Sequence, residues 1–366
     1  MPHLTGLLKA AVLRGAKLTG CYALAARSRW RQQRLLILAY HGISQSDEHL
    51  WNPKLYMSAA LFRQRMEMLK RSACHVLPLR EALVRLYERS LPKQSVALTF
   101  DDGAADFHRR AYPILQEYGF PVTVYLTTYY SQYDRPVFPG VCSYLLWQAK
   151  HSRLHLKSIT GEDIVVELAT EAARADVVRR LVRYSRLRRL SAVEKDELAR
   201  RVADHLNINY ERIIRERILH IMNPKEVAEM ASRGVDFQLH THRHRTPLER
   251  HLFIKELEDN REAIRRMTGQ SANHFCYPDG EFTPQVIGWL KEAGIESATT
   301  CYPHLASTTS DVLALPRLID TSNISAATFE GWICGVASLL TRRRDTIRSR
   351  TSRIPDDDQK IEGAVA

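Results

Sequence analysis

Ser95-Val-Ala-Leu-Thr-Phe-Asp101-Asp102-Gly103 joins a short apolar run to two adjacent carboxylates and a glycine. The run from Val96 to Phe100 reads as a buried strand. Two side-by-side carboxylates repel, so one of them needs a compensating charge. An ordinary acidic turn would also account for Asp-Asp-Gly. The balance shifts at a second segment, His240-Thr-His-Arg-His244, which a strand over Val235 to Leu239 feeds directly. Imidazoles four residues apart on one helical turn can share a metal, with His242 projecting elsewhere. Asp102, His240 and His244 then supply three ligands for a divalent cation and leave room for water. Asp101 remains beside them as a base. Such a set suits zinc, with cobalt, nickel or iron as alternatives.

Around these segments strands and helices alternate. Leu35 to Ala39 is an apolar run ending in Tyr40-His41-Gly42. Ser58 caps a helix reaching Arg71. Phe107 to Tyr118 reads as a helix stopped by Gly119, and Val122 to Leu126 as the next strand. Asn223-Pro224 opens a helix to Arg233. A helix from Leu248 to Met267, a strand over His274 to Tyr277 and a helix from Thr283 follow. Ile295 to Thr300 and Val312 to Ile319 read as the last strands. Alternation with short links predicts a parallel sheet covered by helices. Because the candidate ligands all lie just past strand ends, a (β/α) barrel is favoured.

The chain has 366 residues, which at about 150 residues per domain fits two domains or one large domain with insertions. The expected boundaries are a basic amphipathic segment over 1–33, the barrel over 34–325 and a C-terminal helix with a disordered basic tail over 326–366. Residues 131–222 read as a basic, mostly helical insertion, with Ser191-Ala-Val-Glu194 as a capping box. The formal charge is +12, but no nucleic-acid motif accompanies it, so no nucleic-acid partner is expected. The six cysteines show no CxxC pair and do not form a disulfide framework. No signal peptide or transmembrane run is evident. Leu7, Leu8, Ala11, Val12 and Leu13 beside Lys9, Arg14 and Lys17 permit peripheral membrane contact, and a helix docked on the domain equally. The expected location is cytoplasmic or peripheral at the inner membrane.

Thr99-Phe-Asp-Asp-Gly103, followed by His-Thr-x-x-His, resembles the polysaccharide deacetylase family, the NodB-homology or carbohydrate esterase group. The resemblance covers roughly Leu35 to Ser322, less the inserted helices. It implies a distorted (β/α) barrel of the NodB-homology type and a bacterial metal-dependent hydrolase. The bond cleaved would be the N-acetyl, alternatively the O-acetyl, linkage of an N-acetylhexosamine polysaccharide, such as an exopolysaccharide, or of its precursor. Carried over by motif, Asp101 is the general base acting on water at the metal, and Asp102, His240 and His244 are the ligands.

The third family motif, Arg-x-Pro-Tyr, is here Cys276-Tyr-Pro-Asp279-Gly280. The Asp279 backbone N–H would stand at the oxyanion position. The missing Arg, which orients the base, is replaced by Arg317 or not at all. The late histidine that serves as acid is absent. His41, in Tyr40-His41-Gly42, resembles a rearranged position for it, with His304 as runner-up. Tyr129, Tyr130, Trp147 and Tyr277 are aromatic candidates, and Tyr277 is the one taken as a sugar-stacking residue. The altered motifs leave a second reading open, a catalytically impaired glycan-binding relative of the same fold.

Overall fold

The computed structural model describes residues 2–341. They form two compact units: one runs up to Asp134 and resumes at His220, and the other is Arg135–Leu219. The expected C-terminal tail lies outside the described residues from Arg342 onward.

The first unit is built on one eight-stranded sheet. Its strands are β1 (Leu36–Tyr40), β2 (His75–Val76), β3 (Ser95–Phe100), β4 (Thr123–Leu126), β5 (Asp236–Leu239), β6 (His274–Cys276), β7 (Ser297–Thr299) and β8 (Leu318–Ile319). The order is β7-β6-β5-β4-β3-β1-β8, with β2 beside the start of β3. Every pairing is parallel. All residues of β1, β3, β4 and β6 are buried, as continuous apolar strands covered on both faces must be. Ile37, Ala97 and Tyr125 meet Leu79, Leu83 and Leu86 of the helix Leu79–Tyr87 in one core cluster.

Register decides where the chemistry falls. Tyr40 is opposite Phe100, so His41 and Asp101 leave the sheet at the same level. Leu126 is opposite Leu239, which puts His240 beside Thr127. Cys276 is opposite Thr299. Parallel strands all end on one side, and His41, Asp101, Asp102 and His240 each follow such an end.

Val312 to Ile319 departs from the expected single strand. Its first half bonds to β7, with Ala298 N–H donating to Val312 and Leu315 N–H to Ala298. Its second half, β8, pairs with β1 at Leu38 and Ala39. The segment thus changes partners in mid-course and joins the two edges of the sheet into a distorted barrel. Pro316 explains the break, since it lacks the N–H that a continuous ladder requires. Arg317 sits at the changeover. Just past β8, Asp320 pairs with Arg65 of the helix Ala59–Arg71 at 3.0 Å, and neither side chain is exposed.

Burial pushes the Asp320 carboxyl up to about 6, against the pull of Arg65. An acid raised above its unfolded value of about 3.9 contributes stability that is complete below that pH. The contribution is lost as pH rises through about 6. Asp320→Asn is therefore expected to remove about 3 kcal/mol of pH dependence between about pH 4 and pH 7, read from urea midpoints. A slope identical to the parent's would contradict it.

The Phe107 helix also differs from expectation. Phe107–Ala111 is wound as a π turn before the α-helix Tyr112–Tyr118, a local widening that recurs near functional sites. The second unit is mostly helical, as its sequence predicts, with the Ser191–Glu194 capping box formed. It also contains an antiparallel pair, Arg153–His155 with Val165–Glu167, which sequence reading omitted. Among the described residues no helix is long and apolar enough to cross a membrane.

Candidate active site

At the end of β3 the chain turns sharply. Asp101 N–H donates to the Tyr40 carbonyl at 2.9 Å, and Asp102 adopts a left-handed φ of 66°. That turn lets neighbouring carboxylates, which would diverge on a straight strand, serve one side. Gly103 has φ 79°, and a Cβ there would meet Leu126 at 2.3 Å, so glycine is needed after the pair. Thr241, His244 and Asp279 also have positive φ. Such residues cost about 1–3 kcal/mol each and collect at functional sites.

Asp102 Oδ1 lies 3.3 Å from His240 Nε2 and 3.3 Å from His244 Nε2. The two imidazole rings are 4.9 Å apart between centroids, inclined at 68°. The segment is not the helical turn expected from its spacing. It is an irregular loop whose left-handed Thr241 and His244 fold the second imidazole back onto the first. His242 does turn away, with its Nδ1 2.8 Å from Thr128 Oγ1.

Support around this trio is extensive. His240 Nδ1 is 2.9 Å from the Cys276 carbonyl, and its N–H donates to Asn260 Oδ1 at 2.9 Å. A carbonyl at Nδ1 fixes a proton there and leaves Nε2 as the ring atom facing Asp102. Glu256, one turn before Asn260 on the helix Arg250–Thr268, is buried. It accepts from Arg243 N–H at 2.8 Å and from the Arg243 and Arg245 guanidiniums at 2.9 and 2.8 Å. Glu256 and Asn260 thus clamp the histidine loop. Neither was singled out from sequence; their i, i+4 spacing on a helix facing the loop was the available signal.

Asp101 has a different environment. Arg317 Nη1 donates to its Oδ1 at 2.7 Å and Nη2 to its Oδ2 at 2.8 Å. The guanidinium is fully buried and also donates to the Thr300 carbonyl, Thr99 Oγ1 and Cys276 Sγ at 3.1, 3.1 and 2.9 Å. Burial alone would raise the Asp101 carboxyl, but Arg317, helped by His41 and His240, holds it below the usual carboxylate range. Burial likewise opposes ionisation of Asp102, and the His240 and His244 imidazoles outweigh it. Burial lowers His244. His41 Nε2 approaches Asp101 Oδ2 at 3.8 Å.

Two overlapping trios have metal-ligand spacing: Asp102, His240 and His244, and Asp101, His240 and Cys276. The second already holds a cation, because Arg317 reaches both the Asp101 carboxylate and the Cys276 thiol. The first fits a divalent ion. Its donors are one carboxylate and two imidazoles, and the buried Asp102 Oδ1 receives no hydrogen bond. Asp102 and His244 side chains remain 32% and 31% exposed, leaving that side open to substrate.

The remaining candidates separate. Asp279 is exposed with φ 56°, and its charge acts on His244. Gly280 behind it packs so closely on Cys301 that a Cβ would lie 2.7 Å from Sγ. His304 directs Nδ1 to the Leu305 carbonyl at 3.0 Å. Tyr277 is a correction: it cannot stack on a sugar ring. It is completely buried, packs edge-on to Phe275 and donates its hydroxyl to the Leu313 carbonyl at 2.8 Å. Tyr277→Ala is expected to cost about 3–5 kcal/mol of stability by opening a cavity. Tyr277→Leu, which keeps an apolar side chain but no aromatic face, should leave the Michaelis constant for glycan unchanged in the folded variant. A large rise in that constant for the Leu variant would reinstate the stacking role.

Residues 88–182 and 199–298 match the family model described as polysaccharide deacetylase. The YxkH protein of Bacillus subtilis (strain 168), whose name classes it with polysaccharide deacetylases, is 32% identical over 94 residues. Those residues are 25% of this chain and 32% of YxkH, so the chain spans about a third of the length of the curated relative it matches. The Streptococcus pyogenes deacetylase PplD, solved in complex with acetate, superposes with TM-score 0.51 at 20% identity, over 80% of this chain and 94% of PplD. IcaB from Ammonifex degensii gives 0.50 at 16% identity, over 83% and 97%. The de-N-acetylase from Aggregatibacter actinomycetemcomitans gives 0.50 at 15%, over 82% and 99%. At these identities the shared property is the fold.

Proposed function

The chain belongs to the polysaccharide deacetylase family, and from that premise we propose that it is a metal-dependent hydrolase of acetylated polysaccharides. The substrate class is an N-acetylhexosamine polymer or its precursor, with N-acetyl as the preferred bond and O-acetyl as the alternative. One observation carries the reading. A carboxylate and two imidazoles converge on one point, and a second carboxylate beside them is fixed by a buried guanidinium.

Asp102, His240 and His244 would hold the cation, zinc by preference. When bound, a divalent ion supplies Lewis-acid polarisation of the acyl oxygen and eases deprotonation of water. Asp101 takes the proton of the attacking water. Arg317 occupies one position on each of its oxygens, and lone pairs remain for that proton. The attack on the acetyl carbon gives an oxyanion, toward which the Asp279 N–H would donate. The carbon–nitrogen bond then breaks, and the departing amine takes a proton from His41. Acetate and the free amine are the products. His41 suits this role because it lies within reach of Asp101 yet keeps 17% of its side chain exposed.

His240→Ala removes the most buried donor of the trio. It is expected to reduce bound metal in the purified protein to under about a tenth of the parent's and to abolish acetate release. Unchanged metal content would refute the ligand assignment. A parent protein that binds metal and glycan yet frees no acetate from N- or O-acetylated oligomers would instead identify the impaired glycan-binding relative.

A further inference from the structure

From Leu8 onward the described side chains of the helix Pro2–Leu18 are packed inside out. Leu8, Ala11, Val12, Gly15 and Leu18 follow the spacing of a single helix face, and all five are exposed. Leu8 is 66%, Val12 46% and Leu18 89% exposed. A surface helix ordinarily turns its polar side outward. Here the inward contact comes from the opposite side. Leu13 is buried against Gly331, Lys17 pairs with Glu330, and from the next helix Tyr22 donates to the Ala327 carbonyl at 3.0 Å. The helix is therefore fixed in an orientation that presents its apolar stripe to the surroundings.

Charge decides what can cover that stripe. Lys9 and Arg14, both exposed, flank it on either side. No aspartate or glutamate occurs before Asp47, whereas Lys9, Arg14, Lys17, Arg27, Arg29, Arg31 and Arg34 do. Leu24, in the helix Cys21–Arg27, adds a further apolar side chain at 71% exposure. A second copy of the chain is a poor occupant, because a two-fold contact sets like charges against each other. A nucleic acid would use the cations and leave the leucines in water. An anionic bilayer uses both: leucines enter the acyl boundary and the flanking cations meet lipid phosphates.

We propose that the apolar face of the helix Pro2–Leu18 docks the protein flat on an anionic phospholipid surface, with Leu8, Val12 and Leu18 inserted and Lys9 and Arg14 at headgroup level. This stands apart from the hydrolytic reading and is tested separately. The full chain would be sedimented with vesicles of phosphatidylglycerol and phosphatidylcholine in equal parts, and with phosphatidylcholine alone. Binding is expected to the mixed vesicles only and to weaken with added salt. Lys9→Ala with Arg14→Ala should lower it about 30-fold at low salt. Leu8→Glu with Leu18→Glu should abolish it while the circular dichroism spectrum and acetate release persist. Val84→Glu, at an exposed apolar position elsewhere on the unit, should bind like the parent. Failure of the parent to sediment with mixed vesicles would overturn the proposal, as would unaltered binding by the double Glu variant. Self-association lost in the double Glu variant, without vesicle binding, would identify a second copy as the occupant.

Discussion

Asp101→Asn is expected to lower the rate of acetate release about a thousandfold while leaving metal content unchanged. The amide has nearly the same shape and its oxygen can still accept one of the two Arg317 hydrogen bonds, so the fold should persist at reduced stability. What disappears is the capacity to take a proton, a contribution usually within about 10²–10⁴-fold. The ligand trio keeps all its donors, because Asp102, His240 and His244 approach one another without a contribution from Asp101. Metal analysis and a steady-state acetate assay on the same preparation separate the two effects. Full activity in this variant would end the assignment of Asp101 as base. Loss of metal together with activity would show that Asp101 helps to hold the ion.

The second large effect is expected at Arg317. Its guanidinium makes five hydrogen bonds, to Asp101, Thr99, Thr300 and Cys276. Arg317→Met leaves Asp101 buried without its partner. Breaking a buried pair in this way costs about 3–5 kcal/mol, which chemical denaturation would measure. The pH profile should move as well. With Arg317 gone, burial is no longer outweighed and the Asp101 carboxyl rises. The acidic limb of the activity profile therefore shifts to higher pH. Arg317→Lys should not rescue either property, since an ammonium cannot span both carboxylate oxygens. A variant with parental stability and an unmoved acidic limb would show that Arg317 does not orient the base.

The main residues of the candidate site were visible in the sequence for physical reasons. Adjacent aspartates at the end of an apolar strand are electrostatically awkward, and a strand feeding a His-x-x-x-His segment offered the counterpart. The parallel sheet followed from period and punctuation around β1, β3, β4 and β5. Other features were hidden. The left-handed turns at Asp102, Thr241 and His244 depend on tertiary closure, so the histidine loop looked like a helical turn. Glu256 and Asn260 act through backbone groups of that loop, and their positions on an amphipathic helix look like any others. Tyr277 misled because its neighbours, not its type, decide whether a ring faces water. The partner change within Val312 to Ile319 was signalled only by Pro316.

That changeover has a mechanical implication. The residues that zip the first and last strands together also deliver the cation that pairs with the proposed base, so one short stretch would serve as both clasp and trigger. Loosening the clasp withdraws Arg317 from Asp101 before any central strand has parted. Heat or mild denaturant would then silence turnover while most of the fold's secondary structure is still in place.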